Sequence, residues 1–148
     1  MNRVCLLHTV TALPAVFADL IRAEVGPVDV VDIVDETLLR DTIEQGMLER
    51  TRRRVAEHVG YAAGSGAAAV LVTCSSIGAA AEAARGGVDI PVYRVDQPMA
   101  TEAVTTGRRI GVLATLSATL QPTRDLLRRE ADRAGGQREI HESVCPGA

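Results

Sequence analysis

The chain has 148 residues, 47% of them hydrophobic, which is enough for a folded domain with a buried core. A net charge of −3 and only 2% aromatic residues exclude nucleic-acid binding by phosphate neutralisation or base stacking. No apolar run approaches the roughly 18 residues that span a membrane, the N-terminus lacks a signal-peptide pattern, and 3 cysteines without paired spacing indicate a reducing, cytoplasmic location.

The chain contains no lysine, and all 16 of its basic residues are arginines. A Schiff-base enzyme and a Walker-A phosphate loop both require a lysine amine, so both classes are excluded. Pyridoxal phosphate therefore has no residue for its usual covalent bond. No group of histidines and cysteines has the spacing of a metal site, so we expect no metal centre.

Strand-like segments alternate with helical ones along the whole chain. The predicted strands are Arg3–His8, Val28–Val34, Ala69–Thr73, Val92–Val95, Arg109–Ala114 and Arg138–Val144. The predicted helices are Leu13–Val25, Ile43–Gly64, Ile77–Arg85, Pro98–Thr106 and Ala118–Ala134. Strands separated by helices are typical of an α/β fold, in which a doubly wound parallel sheet is flanked by helices.

The chain is predicted to comprise two lobes. The first, residues 1–107, is an α/β lobe that carries the candidate cysteine described below. The second, residues 108–148, supplies only a strand, a helix and another strand, which would leave apolar faces uncovered. We therefore expect the second lobe to be incomplete, and the chain to be truncated or to complete its fold by forming a homo-oligomer.

Cys74 is the strongest candidate for a reactive group. An apolar run over residues 69–72 predicts a buried parallel strand, and Thr73, Cys74, Ser75 and Ser76 follow it before a helix. Ligands bind at the carboxyl ends of strands in open α/β sheets, and helix N-termini attract anions such as thiolates and carboxylates. This position indicates chemistry on a small carboxylate or carbonyl compound. The alternative is a cysteine that only packs in the core.

Small polar groups also follow other strands. His8 ends the first strand, Asp35 follows the second, and Thr115 and Thr119 follow the fifth. Hydroxyl and backbone N–H groups at these ends would hold a carboxylate without a fixed positive charge. Each has a structural alternative: His8 as a core histidine, Asp35 as the start of a helix, and one of the serines after Cys74 as a helix cap.

Five short segments together carry a resemblance that none of them carries alone. They are Leu7-His8-Thr9, Val34-Asp35-Glu36, Val72-Thr73-Cys74-Ser75-Ser76-Ile77-Gly78, the stretch from Ile90 to Met99 and the stretch from Arg109 to Thr119. In this order and spacing they resemble the N-terminal part of the aspartate/glutamate/hydantoin racemase superfamily. The form Thr-Leu-Ser-Ala-Thr is more similar to the hydantoin racemases than to the glutamate racemases.

The resemblance implies a cofactor-independent amino-acid or hydantoin racemase or epimerase, with a site between two α/β lobes. Cys74 matches the cysteine of the N-terminal lobe, which removes the α-proton next to a carboxylate or carbonyl group. The implied substrate-binding residues are Thr73, Ser75 and Ser76 around the cysteine, Thr115 and Thr119 in the second lobe, and His8 and Asp35 on the substrate side. The implied partner is a small carboxylate, an amino acid or a hydantoin.

Family members carry a second cysteine deep in the second lobe, and Cys145 is the remaining candidate for it here. Pro146-Gly147 follows Cys145 and is typical of a turn rather than of a catalytic segment. Two alternatives remain within the resemblance: a maleate-type isomerase, whose thiol adds to an alkene, and a non-catalytic lobe that binds carboxylates. A thiol hydrolase is a third alternative, and it would need His8 or His58 as the base for Cys74.

Overall fold

The computed structural model describes residues 2–145, and the chain divides into two compact units, Met1–Val95 and Asp96–Ala148. In the first unit the strands are β1 (Arg3–His8), β2 (Asp29–Val34), β3 (Ala67–Val72) and β4 (Val92–Arg94). Its helices are α1 (Leu13–Glu24), α2 (Glu36–Gln45), α3 (Glu49–Gly64) and α4 (Gly78–Ala84), with single 3-10 turns at Ser75–Ile77 and Arg85–Gly87. The predicted alternation of strands and helices is confirmed.

The four strands of the first unit form one parallel sheet in the order β2-β1-β3-β4. From β1 the chain moves outward to β2, then crosses back to β3 and continues to β4. The strand order therefore reverses between β1 and β3, which makes their carboxyl ends the topological switch point where open α/β sheets bind ligands. The predicted class, a parallel α/β sheet flanked by helices, is confirmed.

The core of the first unit lies on one face of this sheet. Alternate residues of β1 and β3 point towards α2, α3 and α4, as the period of two in a strand requires. The fully buried members of this cluster include Cys5, Leu7, Val70, Val72, Leu38, Val55, Val59, Ile77 and Ala81. Leu6 and His8 point to the opposite face, where the ring of Phe17 in α1 lies 5.5 Å from that of His8.

The region predicted as one helix from Ile43 to Gly64 contains two helices. Helix α2 begins earlier, at Glu36, and ends at Gln45. The C-cap residue Gly46 has a φ of 74°, a conformation that glycine adopts without strain. Leu48 is extended and starts α3. Because of this break, the apolar faces of α2 and α3 pack on the sheet separately, which a single straight helix would not allow.

The second unit contains α5 (Gln97–Thr106), β5 (Arg109–Ala114), α6 (Ser117–Arg133) and β6 (Glu139–Val144), with β5 and β6 paired in parallel. Its core consists of Ala100, Val104, Ile110, Val112, Leu126, Leu127 and Ala131. Helix α5 packs on α6, and the two compact units divide after Val95. On the outer face of β5, Leu113 is 74% exposed.

Candidate functional site

The carboxyl ends of β1 and β3 lie side by side at the switch point of the first sheet. The amide of Thr73 donates to the carbonyl of Leu7 at 3.0 Å, which carries the strand pairing up to the residue before Cys74. Thr73 is 8% exposed and Thr9 is 2% exposed, so the residues that directly follow the two strands are buried. Three of the predicted residues, His8, Thr73 and Cys74, are therefore brought together at this edge.

Cys74 is an extended residue, with φ −123° and ψ 118°, immediately before the 3-10 turn of Ser75–Ile77. Its side chain is half-buried and packs against the core between the sheet and α2–α4. Thr73 points the other way, towards His8, because side chains alternate along an extended chain. The thiol is free, as are those of the other two cysteines.

The two serines after Cys74 lie inside the turn. The residues at the N-cap positions of the 3-10 turn and of α4 are Cys74 and Ile77, so neither serine has the capping role considered from the sequence. Ser76 is 4% exposed and Ser75 is half-buried. Both serines lie within one turn of the cysteine, so the loop carries hydroxyl and amide donors directly after the thiol.

His8 is fully buried, and both of its ring nitrogens have partners inside the protein. Nδ1 lies 2.8 Å from Oγ1 of Thr73, and Nε2 lies 3.0 Å from Oδ1 of Asp32. The ring is therefore held within the unit, which corresponds to the core histidine considered from the sequence. Asp32 was missed by the sequence analysis, although a carboxylate that interrupts the apolar run of β2 is an unusual feature for a parallel strand.

Asp35 caps α2, which is the structural alternative considered for it. Its carboxylate accepts hydrogen bonds from the amide of Thr37 at 3.1 Å, the Thr37 hydroxyl at 2.5 Å and Nε2 of His58 at 2.9 Å, and Arg54 lies 3.9 Å away. Burial raises the pKa of Asp35, but the hydrogen bonds from Thr37 and His58 outweigh it, so the pKa lies below its ordinary value. Nε2 of His58 is thereby engaged with Asp35, so the geometry of His58 gives the hydrolase alternative no support.

A buried arginine lies beneath the helix that follows the cysteine loop. The side chain of Arg94 is 1% exposed, and its Nη1 donates to Oε1 of Glu82 in α4 at 3.0 Å. A Cβ atom on Gly78 would come closer than 3.0 Å to the guanidinium, so the first turn of α4 can approach Arg94 only because residue 78 is glycine. This pair was not predicted from the sequence, since nothing in the local pattern connects the two residues.

An open cleft of about 370 Å³ lies at the same sheet edge, between the loop after β1 and helix α2. Its lining residues are Thr9, Val10, Glu36, Leu39, Arg40, Ile43 and Glu44. The cleft combines an apolar wall with charged groups at its rim. It lies next to the buried His8–Thr9 segment and was not predicted from the sequence.

In the second unit, the remaining candidates lie at the carboxyl edge of the two-stranded sheet. Thr115 follows β5 and is exposed, and Thr119 lies in the first turn of α6, where its amide donates to the carbonyl of Leu116 at 3.1 Å. The amide of Cys145 donates to the carbonyl of Ala114 at 2.8 Å, which brings this half-buried cysteine to the same edge. Pro146-Gly147, predicted to form a turn, lies outside the described residues.

Two classes of feature are not found in the part of the chain that the structure describes. Across residues 2–145 no three histidine, cysteine or acidic side chains are grouped so that they could hold a metal ion. No helix in the same range is long and apolar enough to cross a membrane.

Comparison with known proteins identifies the family. A family model described as Asp/Glu/Hydantoin racemase matches residues 8–145, and the chain therefore belongs to the Asp/Glu/hydantoin racemase family. No curated protein matches the chain.

The fold is shared with solved glutamate racemases. That of Aquifex pyrophilus is 22% identical with a TM-score of 0.71, covering 98% of this chain and 56% of that one. Isoform RacE1 of Bacillus anthracis is 22% identical with a TM-score of 0.76, covering 98% and 53%. The enzyme of Francisella tularensis, solved in complex with D-glutamate, is 14% identical with a TM-score of 0.71, covering 98% and 53%. The chain thus spans little more than half the length of these relatives.

Proposed function

We propose that the chain acts in the cofactor-independent racemisation or epimerisation of a small amino acid or hydantoin, with Cys74 as the base that removes the α-proton. The observation that carries this proposal is the position of Cys74 at the switch point of a racemase-family fold, directly after β3. The glutamate racemase solved with D-glutamate supports a small amino acid as the substrate class.

The reaction needs a base in contact with a very weak carbon acid. The Cys74 thiolate takes the α-proton, the C–H bond breaks as the S–H bond forms, and the electron pair moves into the adjacent carboxylate or carbonyl group as an enolate. Fixed hydrogen-bond donors must meet the developing charge. We assign this role to the hydroxyl and amide groups of Ser75 and Ser76, whereas Thr73, whose amide and hydroxyl are bonded to Leu7 and His8, holds the loop in place.

Inversion requires a second acid/base that returns a proton to the opposite face of the α-carbon. Cys145 is the candidate that the described residues offer, because it lies at the carboxyl edge of the second sheet near Thr115 and Thr119. These two threonines are the proposed donors of the second unit. His8 and Asp35 use their side chains for contacts within the first unit, and their proposed part is to hold the site in place.

The surroundings of the site are part of the same proposal. The cleft beside Thr9, whose lining does not include Cys74, has the size for a small polar molecule such as an amino acid. Three free cysteines suit a reducing compartment such as the cytoplasm. The exposed Leu113 on the outer face of the second sheet suits association with a second copy of the chain.

The test is α-proton exchange in D2O, followed by proton NMR with chiral analysis, over a panel of amino acids and hydantoins. We expect exchange in the wild type, its loss in Cys74→Ala, and its retention in Cys5→Ala, which removes a thiol that is 1% exposed in the core. Exchange with retained configuration would indicate a single working base. Racemisation that Cys145→Ser abolishes would identify the second. Normal turnover by Cys74→Ala would disprove the proposal.

A further inference from the structure

A continuous chain of hydrogen bonds crosses three neighbouring strands beneath the cysteine loop. Asp32 in β2 contacts His8 in β1 at 3.0 Å, and His8 contacts Thr73 at the end of β3 at 2.8 Å. The His8 side chain is 0% exposed and that of Asp32 is 30% exposed. The chain thus runs from the partly exposed carboxylate, through the buried ring, to the residue before Cys74.

The positions of the protons follow from the partners. An ionised carboxylate only accepts hydrogen bonds, so Nε2 of His8 must carry a proton and donate it to Asp32. The Thr73 hydroxyl has two acceptors within reach, Nδ1 of His8 at 2.8 Å and the carbonyl of Leu7 at 3.2 Å. That carbonyl already accepts the amide of Thr73 at 3.0 Å. The Leu7 carbonyl has two lone pairs and can accept from both groups of Thr73, so the state of His8 decides where the hydroxyl proton lies. In the neutral ring with its proton on Nε2, Nδ1 is the acceptor of the Thr73 hydroxyl, and Asp32 favours this tautomer.

The order carboxylate, imidazole, hydroxyl is that of a nucleophilic triad, but the burial excludes this use. Thr73 is 8% exposed and the ring of His8 is fully buried, so a substrate carbonyl has no approach to the hydroxyl oxygen. The network instead fixes Thr73 by two hydrogen bonds. One joins its amide to the carbonyl of Leu7, and the other joins its hydroxyl to Nδ1 of His8. The peptide that joins Thr73 to Cys74 is fixed as a result.

We propose that His8 is a positioning residue, which, oriented by Asp32, locks Thr73 so that the loop carries the Cys74 thiol at a fixed place on the sheet edge. The functional part rests on the role of Cys74 proposed above, whereas the network itself does not. A base must lie at contact distance from the α-carbon, and a displacement of about 1 Å costs on the order of 100-fold in rate. His8 thereby controls turnover without touching the substrate.

The first experiment compares variants on the substrate that shows Cys74-dependent exchange. His8→Leu removes both hydrogen bonds and should lower kcat on the order of 100-fold with KM changed less than about threefold. His8→Asn keeps a polar atom near the Nδ1 position, so it should recover about tenfold of this loss. Phe17→Leu, the control, removes the ring beside His8 but leaves both hydrogen bonds and should retain kcat. Equal kcat values in His8→Leu and Phe17→Leu would overturn the proposal.

The second experiment needs no turnover and covers a failure of His8→Leu to fold. Nitrogen-15 NMR of the wild type should show the proton on Nε2 of His8, and Asp32→Ala, at a partly exposed position, should give a mixture of tautomers. Iodoacetamide should alkylate Cys74 about tenfold faster in Asp32→Ala, because the released loop exposes a half-buried thiol. An unprotonated Nε2, or equal alkylation rates, would overturn the network even if the wild type catalyses exchange. No exchange by the wild type with these two results intact would instead refute the proposed racemase activity alone.

Discussion

Removing the carboxylate of Asp35 should destabilise the first unit, and the contacts of this residue give the size of the effect. The loss of an N-cap costs about 1 kcal/mol. The loss of the hydrogen bond from His58, at 2.9 Å to a carboxylate that is 15% exposed, costs about 1.5 kcal/mol. Arg54, at 3.9 Å and 44% exposed, adds little. Asp35→Ala should therefore lower the free energy of unfolding by about 2.5 kcal/mol at pH 7.

The stabilisation by Asp35 should decrease as the pH falls. The pKa of Asp35 is lower in the folded than in the unfolded chain, so its charge contributes stability above the unfolded pKa of 3.8, and this contribution is lost as the pH falls through the folded pKa. Asp35→Asn keeps the cap but not the charge. Asp35→Asn should lower the free energy of unfolding by about 1 kcal/mol at pH 7, and its difference in stability from the wild type should shrink towards about pH 3.

The assay is urea unfolding followed by tyrosine fluorescence. Both tyrosines of the chain, Tyr61 and Tyr93, lie in the first unit, so their emission reports on the unit that contains Asp35. Asp19→Ala is the control, because Asp19 is 82% exposed in a surface pair with Arg22 and should change stability by less than about 0.5 kcal/mol. If Asp35→Ala and Asp19→Ala unfold at the same urea concentration, the structural role assigned to Asp35 is wrong.

Two further predictions concern buried groups of the first unit. Gly78→Ala should lower the free energy of unfolding by about 2 kcal/mol in the urea assay, because its Cβ meets the buried guanidinium of Arg94. Gly60→Ala is the control and should not lower it, since there is open space around Gly60. Equal effects of the two substitutions would contradict the packing described for Gly78. Burial, aided by Asp32, raises the pKa of Cys5 to about 11, so the free energy of unfolding should fall by about 1.5 kcal/mol between about pH 9 and about pH 10.5, and Cys5→Ala should not show this slope. Parallel pH profiles of stability in the wild type and Cys5→Ala would refute the prediction for Cys5.

The sequence was sufficient for the order of elements because strands and helices leave different local patterns. The apolar run before Cys74 and the helices that separate the strands were enough to indicate a parallel sheet, and hence the edge at which the cysteine lies. The break between α2 and α3 was missed because Gly46 was not recognised as a helix end. The apolar spacing alone continues across it.

The partners of the candidate residues were beyond sequence reasoning, since they come from distant segments. His8 meets Asp32 and Thr73 across separations of 24 and 65 residues, and the choice depends on the register of three strands. The pair of Arg94 and Gly78 likewise depends on how closely α4 approaches β4. A pattern can place a residue at a strand end, but it does not determine whether the side chain meets a ligand or a neighbour.

The hydrogen-bonded residues beneath the cysteine loop also constrain how this chain can diverge. Each of Asp32, His8 and Thr73 satisfies a polar group of another, and a single substitution would leave a buried donor or acceptor unpaired, at a cost of about 1 to 3 kcal/mol. Changes at these three positions are therefore expected to be inherited together. Among descendants of one ancestor, the three residues should behave as a single evolutionary character.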